Sequence, residues 1–163
     1  MLRIASDLDD TLFNWRESHE KKFNCSLNNL SESVITEQVN SLKNDGRFWS
    51  NLPLLERPDF VPEVYCTLRV NKKLFTINCI KKHKLPIRPI LQLQGQTANK
   101  ATVLKGVADV LIDDSWSNVK RCLESGFPAL LITRPHNRYI NTKYRINTLT
   151  YKEIETKYNE LFK

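Results

Sequence analysis

A chain of 163 residues suits one domain with room for a modest insertion, and it is long enough to bury a core without disulfide or metal staples. Hydrophobic residues at 40% and charged residues at 26% describe an ordinary globule, and no apolar run approaches the length of a membrane span. The formal charge of +7 fits a solvated basic surface, or attraction to polyanions or phosphorylated substrates. The densest basic cluster is Lys72, Lys73, Lys81, Lys82, His83, Lys84 and Arg88.

The N-terminal stretch turns acidic at Asp7, too soon for a signal peptide. Cys25, Cys66, Cys79 and Cys122 are scattered, with no C-x-x-C pair and no histidine at zinc-ligand spacing. Cys66 and Cys79 sit inside apolar patterns and read as buried thiols, and the scatter of the four fits a reducing, cytoplasmic compartment.

Taken in chain order, the apolar run 2–6 predicts a buried strand that opens into the polar loop Asp7-Leu8-Asp9-Asp10-Thr11. A short helix is expected over 15–23. A longer one is expected over 31–44, capped by Ser31, with Val34, Ile35, Gln38, Val39 and Leu42 as its stripe and Gly46 as its stop. Pro53, Pro58 and Pro62 make 51–62 an irregular connection.

A strand–helix alternation follows: strand 63–67, helix 71–83, strand 89–93, helix 99–105, strand 108–112, helix 117–125 closed by Gly126, strand 128–133 and a terminal helix over 151–161. Such alternation predicts an α/β fold, a Rossmann-like parallel sheet with helices on both faces. The helical segment 14–60 interrupts the pattern and reads as a small cap inserted after the first strand. The core is then 1–13 and 61–163.

In open parallel sheets ligands bind beyond the carboxyl ends of the strands. Asp7, Asp9, Thr67, Asp113 and Asp114 all fall there. Two carboxylates two residues apart, Asp7 and Asp9, can share one cation and one phosphate. One can serve as nucleophile and the other as acid/base, with a metal to remove charge repulsion. Asp113-Asp114 after the strand Val110-Leu111-Ile112 is costly unless the pair meets a cation. Taken singly, each pair also fits a solvated turn or a helix cap. Thr67 can donate to a phosphate oxygen or simply suit a strand end. Lys100, 13 residues before Asp113, can neutralise phosphate and carboxylates, with Lys105 as its rival.

The order D-L-D-D-T-L, then T-L-R, then a lysine, then L-I-D-D resembles the four motifs of the haloacid dehalogenase superfamily across the whole chain. More narrowly the chain is similar to the 5'-(3')-deoxyribonucleotidase family. Three stretches carry that likeness: Arg47-Phe48-Trp49-Ser50-Asn51-Leu52-Pro53, Ala108-Asp109-Val110-Leu111-Ile112-Asp113-Asp114, and Pro135-His136-Asn137-Arg138. The phosphatase half of phage polynucleotide kinase shares the first and last motifs.

The resemblance implies a magnesium-dependent phosphatase. In it Asp7 is the nucleophile and a metal ligand, and Asp9 is the acid/base with its carbonyl on the metal. Asp114 is a direct metal ligand, and Asp113 supports the lysine or a metal-bound water. Thr67 and Lys100 hold phosphate, and Phe48 and Trp49 lie over the substrate to stack on a base or pack the cap. The nucleotidases carry a small residue after the motif threonine, so Leu68-Arg69 departs from them and makes Arg69 a further candidate phosphate ligand. The implied substrate is a small phosphomonoester, a (deoxy)nucleoside monophosphate ahead of a phosphorylated nucleic-acid end. A non-catalytic binding protein on the same fold is the remaining alternative.

Overall fold

The computed structural model describes residues 1–94 and 98–163. In order they form β1 (Ile4–Ser6), α1 (Trp15–Phe23), α2 (Glu32–Ser41), α3 (Gly46–Ser50), β2 (Val64–Thr67), α4 (Lys73–Lys82), β3 (Ile90–Gln92), α5 (Ala101–Leu104), β4 (Val110–Asp113), α6 (Trp116–Glu124), β5 (Ala129–Ile132), β6 (Arg145–Ile146) and α7 (Tyr151–Phe162). The strands make one sheet in the order β3-β2-β1-β4-β5-β6, with every pairing parallel.

Two-residue alternation along the central strands feeds two separate cores. Ile4, Tyr65, Val110, Ile112, Leu130 and Ile132 pack with Ile80 of α4 and Ile154 of α7. Ala5, Val64, Cys66, Leu111, Ala129 and Leu131 pack on the other face with Leu104 of α5 and Val119 of α6. Because both faces are covered, the strands read as near-continuous apolar runs, as parallel sheets require. The four cysteines are unpaired thiols, and Cys66, Cys79 and Cys122 are buried. Among the described residues no helix is long and apolar enough to cross a membrane.

The strand order reverses between β1 and β4, whose residues Ser6 and Ile112 are partners. That reversal opens a crevice at the carboxyl ends of the two strands, where ligands bind in sheets of this kind. Asp7 and Asp113-Asp114 stand at its edges.

The segment between β1 and β2 departs from expectation in two places. Gly46 does not stop α2, which ends at Ser41. It opens α3, whose amino end is capped by the Asp45 carboxylate accepting from the Phe48 N–H at 2.9 Å. Glycine is needed there for close approach, since a Cβ on Gly46 would stand 2.7 Å from the Phe75 ring of α4. The predicted stripe of α2 is also not a core face: no residue within the helix is buried, and only Leu42 beyond its end is. The two-residue edge strand β6 carries too short a pattern to be seen in the sequence.

Candidate active site

After β1 the chain turns sharply. The Asp7 N–H donates to Ile112 O at 2.9 Å, and the N–H groups of Leu12 and Phe13 both return to Leu8 O. Asp10 takes a left-handed φ of 56°, a conformation that aspartate tolerates better than most residues. The turn leaves Asp7 and Asp9 on the wall of a pocket of about 240 Å3, together with Thr67, Lys100, Asp113 and Asp114. Those six sequence candidates therefore converge on one site.

The Lys100 ammonium, fully buried, donates to Asp7 Oδ1 and, at 2.7 Å, to Asp113 Oδ2. Lys105 is exposed and does not line the pocket, so Lys100 is the one of the two lysines that enters it. Asp113 also accepts from the Ser115 N–H at 2.8 Å and from Asn118 Nδ2 at 3.3 Å, so its carboxylate serves the lysine and the amino end of α6. Asp114 stands nearer the opening, accepting from Thr11 Oγ1 at 3.0 Å, with His136 Nε2 at 2.9 Å. Thr67 Oγ1 accepts from the Arg69 N–H at 3.2 Å and keeps its own proton to donate.

Burial pushes the Asp7 carboxyl well above its ordinary range. Lys100 opposes this, and the neighbouring carboxylates Asp113, Asp114 and Asp9 add to it. Burial raises Asp113 in the same way, again against Lys100. Burial works against the Lys100 charge, but Asp113 and Asp7 more than offset it and hold its pKa above the ordinary value. Asp10 is pushed up to about 7 by burial and by the Asp114 charge.

The ligand oxygens of Asp7, Asp113 and Asp114 lie within 4.8 Å of one another. Three carboxylates face one ammonium, an excess of negative charge that a cation would relieve. The donors are all oxygen, which fits a hard divalent ion.

Three candidates sit differently from expectation. Arg69 also lines the pocket but aims its guanidinium at Asp9, through Nε at 2.9 and 3.0 Å and Nη2 at 2.6 Å. Trp49 is 1% exposed, with its Nε1 donating to Leu42 O at 2.8 Å and its ring beneath Arg69, so it forms wall rather than an open stacking face. Phe48 lines a separate pocket with Ser18, Lys22 and Asp45.

Residues that sequence reasoning passed over include Thr11, Asn118, His136 and Asp10, the last two clustering with Asp114. The Asp10 and Thr11 carbonyls are tied down by Arg134, at 3.0 and 2.6 Å. The stretch Pro135-His136-Asn137-Arg138 was the available signal for His136, although no role followed from it.

The fold and this crevice define an α/β domain with its candidate site at the β1/β4 switch point. No family model matches the sequence, and no curated protein does. Among solved structures the chain is similar to an L-2-haloacid dehalogenase, with a TM-score of 0.61 and 13% identity over 91% of this chain and 96% of that one. It is also similar to a HAD-superfamily hydrolase of subfamily IA, variant 1, from Geobacter sulfurreducens, with a TM-score of 0.55 and 12% identity over 91% and 96%. A haloacid dehalogenase-like hydrolase from Streptococcus pneumoniae gives a TM-score of 0.51 and 15% identity over 96% of both chains. The chain therefore has the fold of haloacid dehalogenase-like hydrolases.

Proposed function

We propose that the protein is a magnesium-dependent phosphomonoesterase acting on (deoxy)nucleoside monophosphates. The observation that carries this reading is the convergence of Asp7, Asp113 and Asp114 around Lys100, with Asp9 at the pocket's edge. A dianionic phosphate meeting an anionic nucleophile needs that concentration of cation-binding groups. Displacement of halide from carbon does not, so phosphoryl chemistry is favoured over the dehalogenation named for one structural neighbour.

Asp7, Asp114 and the Asp9 carbonyl would hold the ion, which when bound offsets the charge between carboxylate and phosphate. An Asp7 carboxylate oxygen attacks phosphorus, the bond from phosphorus to the ester oxygen breaks, and the Asp9 carboxyl gives its proton to the departing oxygen. The resulting aspartyl-phosphate is hydrolysed by a water whose proton returns to Asp9. Thr67 and Lys100 steady the phosphoryl oxygens.

The acidic pocket would take the phosphoryl group. It adjoins a cleft of about 460 Å3 between α2 and the chain after β2, and Val39 and Leu68 line both spaces. Ile35 and Val70 extend the cleft's apolar wall, with Thr36 and Asn40 as polar groups, a mixed surface that suits a nucleobase. In this reading residues 14–60 act as a cap on the core.

Asp7→Asn should abolish hydrolysis of deoxynucleoside monophosphates while the fold persists, and chelation should silence the unmodified protein. Wild-type rates in the variant, or full activity after exhaustive chelation, would end this reading. The exposed lysines Lys72, Lys73, Lys81, Lys82 and Lys84 favour a second substrate, a phosphorylated nucleic-acid end. Turnover far higher on oligonucleotides, falling steeply with salt, would select it.

A further inference from the structure

Arg69 is a candidate for binding phosphate, but all three nitrogens of its guanidinium already donate within the protein. The side chain is completely buried. Nε and Nη2 form a fork on the Asp9 carboxylate, and Nη1 donates to Thr76 Oγ1 of α4 at 3.1 Å. One face of the fork lies 5.2 Å from the Trp49 ring of α3, and Phe13 lies at 5.6 Å. The backbone is anchored as well, by the Arg69 N–H on Thr67 Oγ1 and by Gln92 Nε2 donating to Arg69 O at 2.6 Å. To reach a phosphate, Arg69 would have to leave a charge-assisted pair, a hydrogen bond and two aromatic contacts in a dry site.

Asp9 is placed in the opposite way. Its side chain is 24% exposed and lines the pocket. It follows a short strand on a loop whose next residue is left-handed, so its rotamer needs an outside hold. A planar fork supplies that hold because it fixes both carboxylate oxygens at once.

We propose that Arg69 is a positioning residue, one that fixes the orientation of the Asp9 carboxyl and ties it to the inserted segment through Trp49. The inference rests on the phosphomonoesterase reading, with Asp9 as the group that protonates the departing oxygen. Positioning by a rigid fork differs from phosphate binding in a measurable way. A sugar alkoxide cannot leave without a proton, whereas 4-nitrophenolate leaves well unprotonated. Disturbing the Asp9 carboxyl should therefore damage the first reaction and largely spare the second, up to formation of the aspartyl-phosphate.

The test compares kcat/KM of the magnesium-loaded protein and its Arg69→Lys and Arg69→Gln variants on a deoxynucleoside monophosphate and on 4-nitrophenyl phosphate. Inhibition by inorganic phosphate is measured alongside. The expected result is a loss of about thirtyfold or more on the nucleotide and at most a few-fold on the aryl ester, with the phosphate inhibition constant within about threefold of wild type. Thr76→Val keeps the guanidinium and removes one of its anchors, and should give a smaller loss with the same selectivity even if the Arg69 variants fold poorly. Equal losses on both esters, or a phosphate inhibition constant raised tenfold or more, would make Arg69 a phosphate ligand and overturn the proposal. So would unchanged kinetics on both esters. A wild-type protein inactive on every phosphate ester would instead overturn the function on which the proposal rests.

Discussion

The sheet and the segment between β1 and β2 hold together by different means. In the sheet, every residue of β1, β2, β4 and β5 is buried, and both faces are sealed by helices. In that segment α2 contributes no buried residue, and the buried anchors are scattered, among them His19 in α1, Leu27, Leu42, Trp49 and Leu52. The difference teaches where precision is kept and where adaptation is allowed. Asp7, Lys100 and the Asp113-Asp114 pair stand on or beside elements that cannot move without opening a core. The wall facing the adjoining cleft is a helix with no buried residue, where substitutions should cost little stability.

The largest effect that would test this contrast is loss of Lys100. Lys100→Met leaves Asp7 and Asp113 buried without their shared cation. It should cost roughly 3–5 kcal/mol in chemical denaturation and at least about a hundredfold in kcat. Near-native stability would mean that the sheet's carboxylates do not depend on this lysine.

Next in size is truncation of the two regions' apolar groups. Leu111→Ala in β4, at 0% exposure, should destabilise by about 2–5 kcal/mol. Val34→Ala in α2, at 38% exposure, should stay within about 0.5 kcal/mol. Equal costs would show that α2 is as tightly bound into the fold as the sheet.

A smaller effect lies in α1, where His19 is 0% exposed between Trp15 and Phe23, with ring centroids at 4.8 Å on each side. Among the described residues neither ring nitrogen has a hydrogen-bond partner. Burial holds its pKa below the ordinary 6.5. Above that pH the ring is neutral in both folded and unfolded chains. As pH falls below 6.5 the unfolded chain takes up the proton more readily, so this contribution to stability is lost progressively. His19→Leu should therefore be nearly neutral at pH 8 and stabilising by about 1 kcal/mol at pH 5, a rise of about 3 °C in Tm by thermal melts. A difference that does not change between the two pH values would remove the histidine from the account of how the segment between β1 and β2 is held.

The chemistry was legible where it depends on local pattern. Apolar runs ending in Asp7, Thr67 and Asp113-Asp114 announce strands whose carboxyl ends carry polar groups, and alternation with helices brings those ends to one edge of a parallel sheet. Asp7, Asp9, Thr67, Asp113 and Asp114 reached the same pocket for that reason. The α1 span and the Ser31 cap of α2 were likewise readable, because both follow from neighbours three or four residues apart. Other contacts have no such local trace. Arg69 meets Asp9 across 60 positions, Thr11 meets Asp114 across 103, and Arg134 meets Asp10 across 124.

What the amino-acid order determined by itself was therefore the class of fold, the strand-end carboxylates and the apolar strands, since periodicity and turn chemistry act within a few residues. Only the tertiary structure decided that Lys100 rather than Lys105 enters the site, that Arg69 grips a carboxylate, that Trp49 is wall and that Gly46 opens a helix against Phe75. Each of those outcomes depends on which distant group arrives alongside, and a charge or a ring acquires its partner only when the chain closes around it.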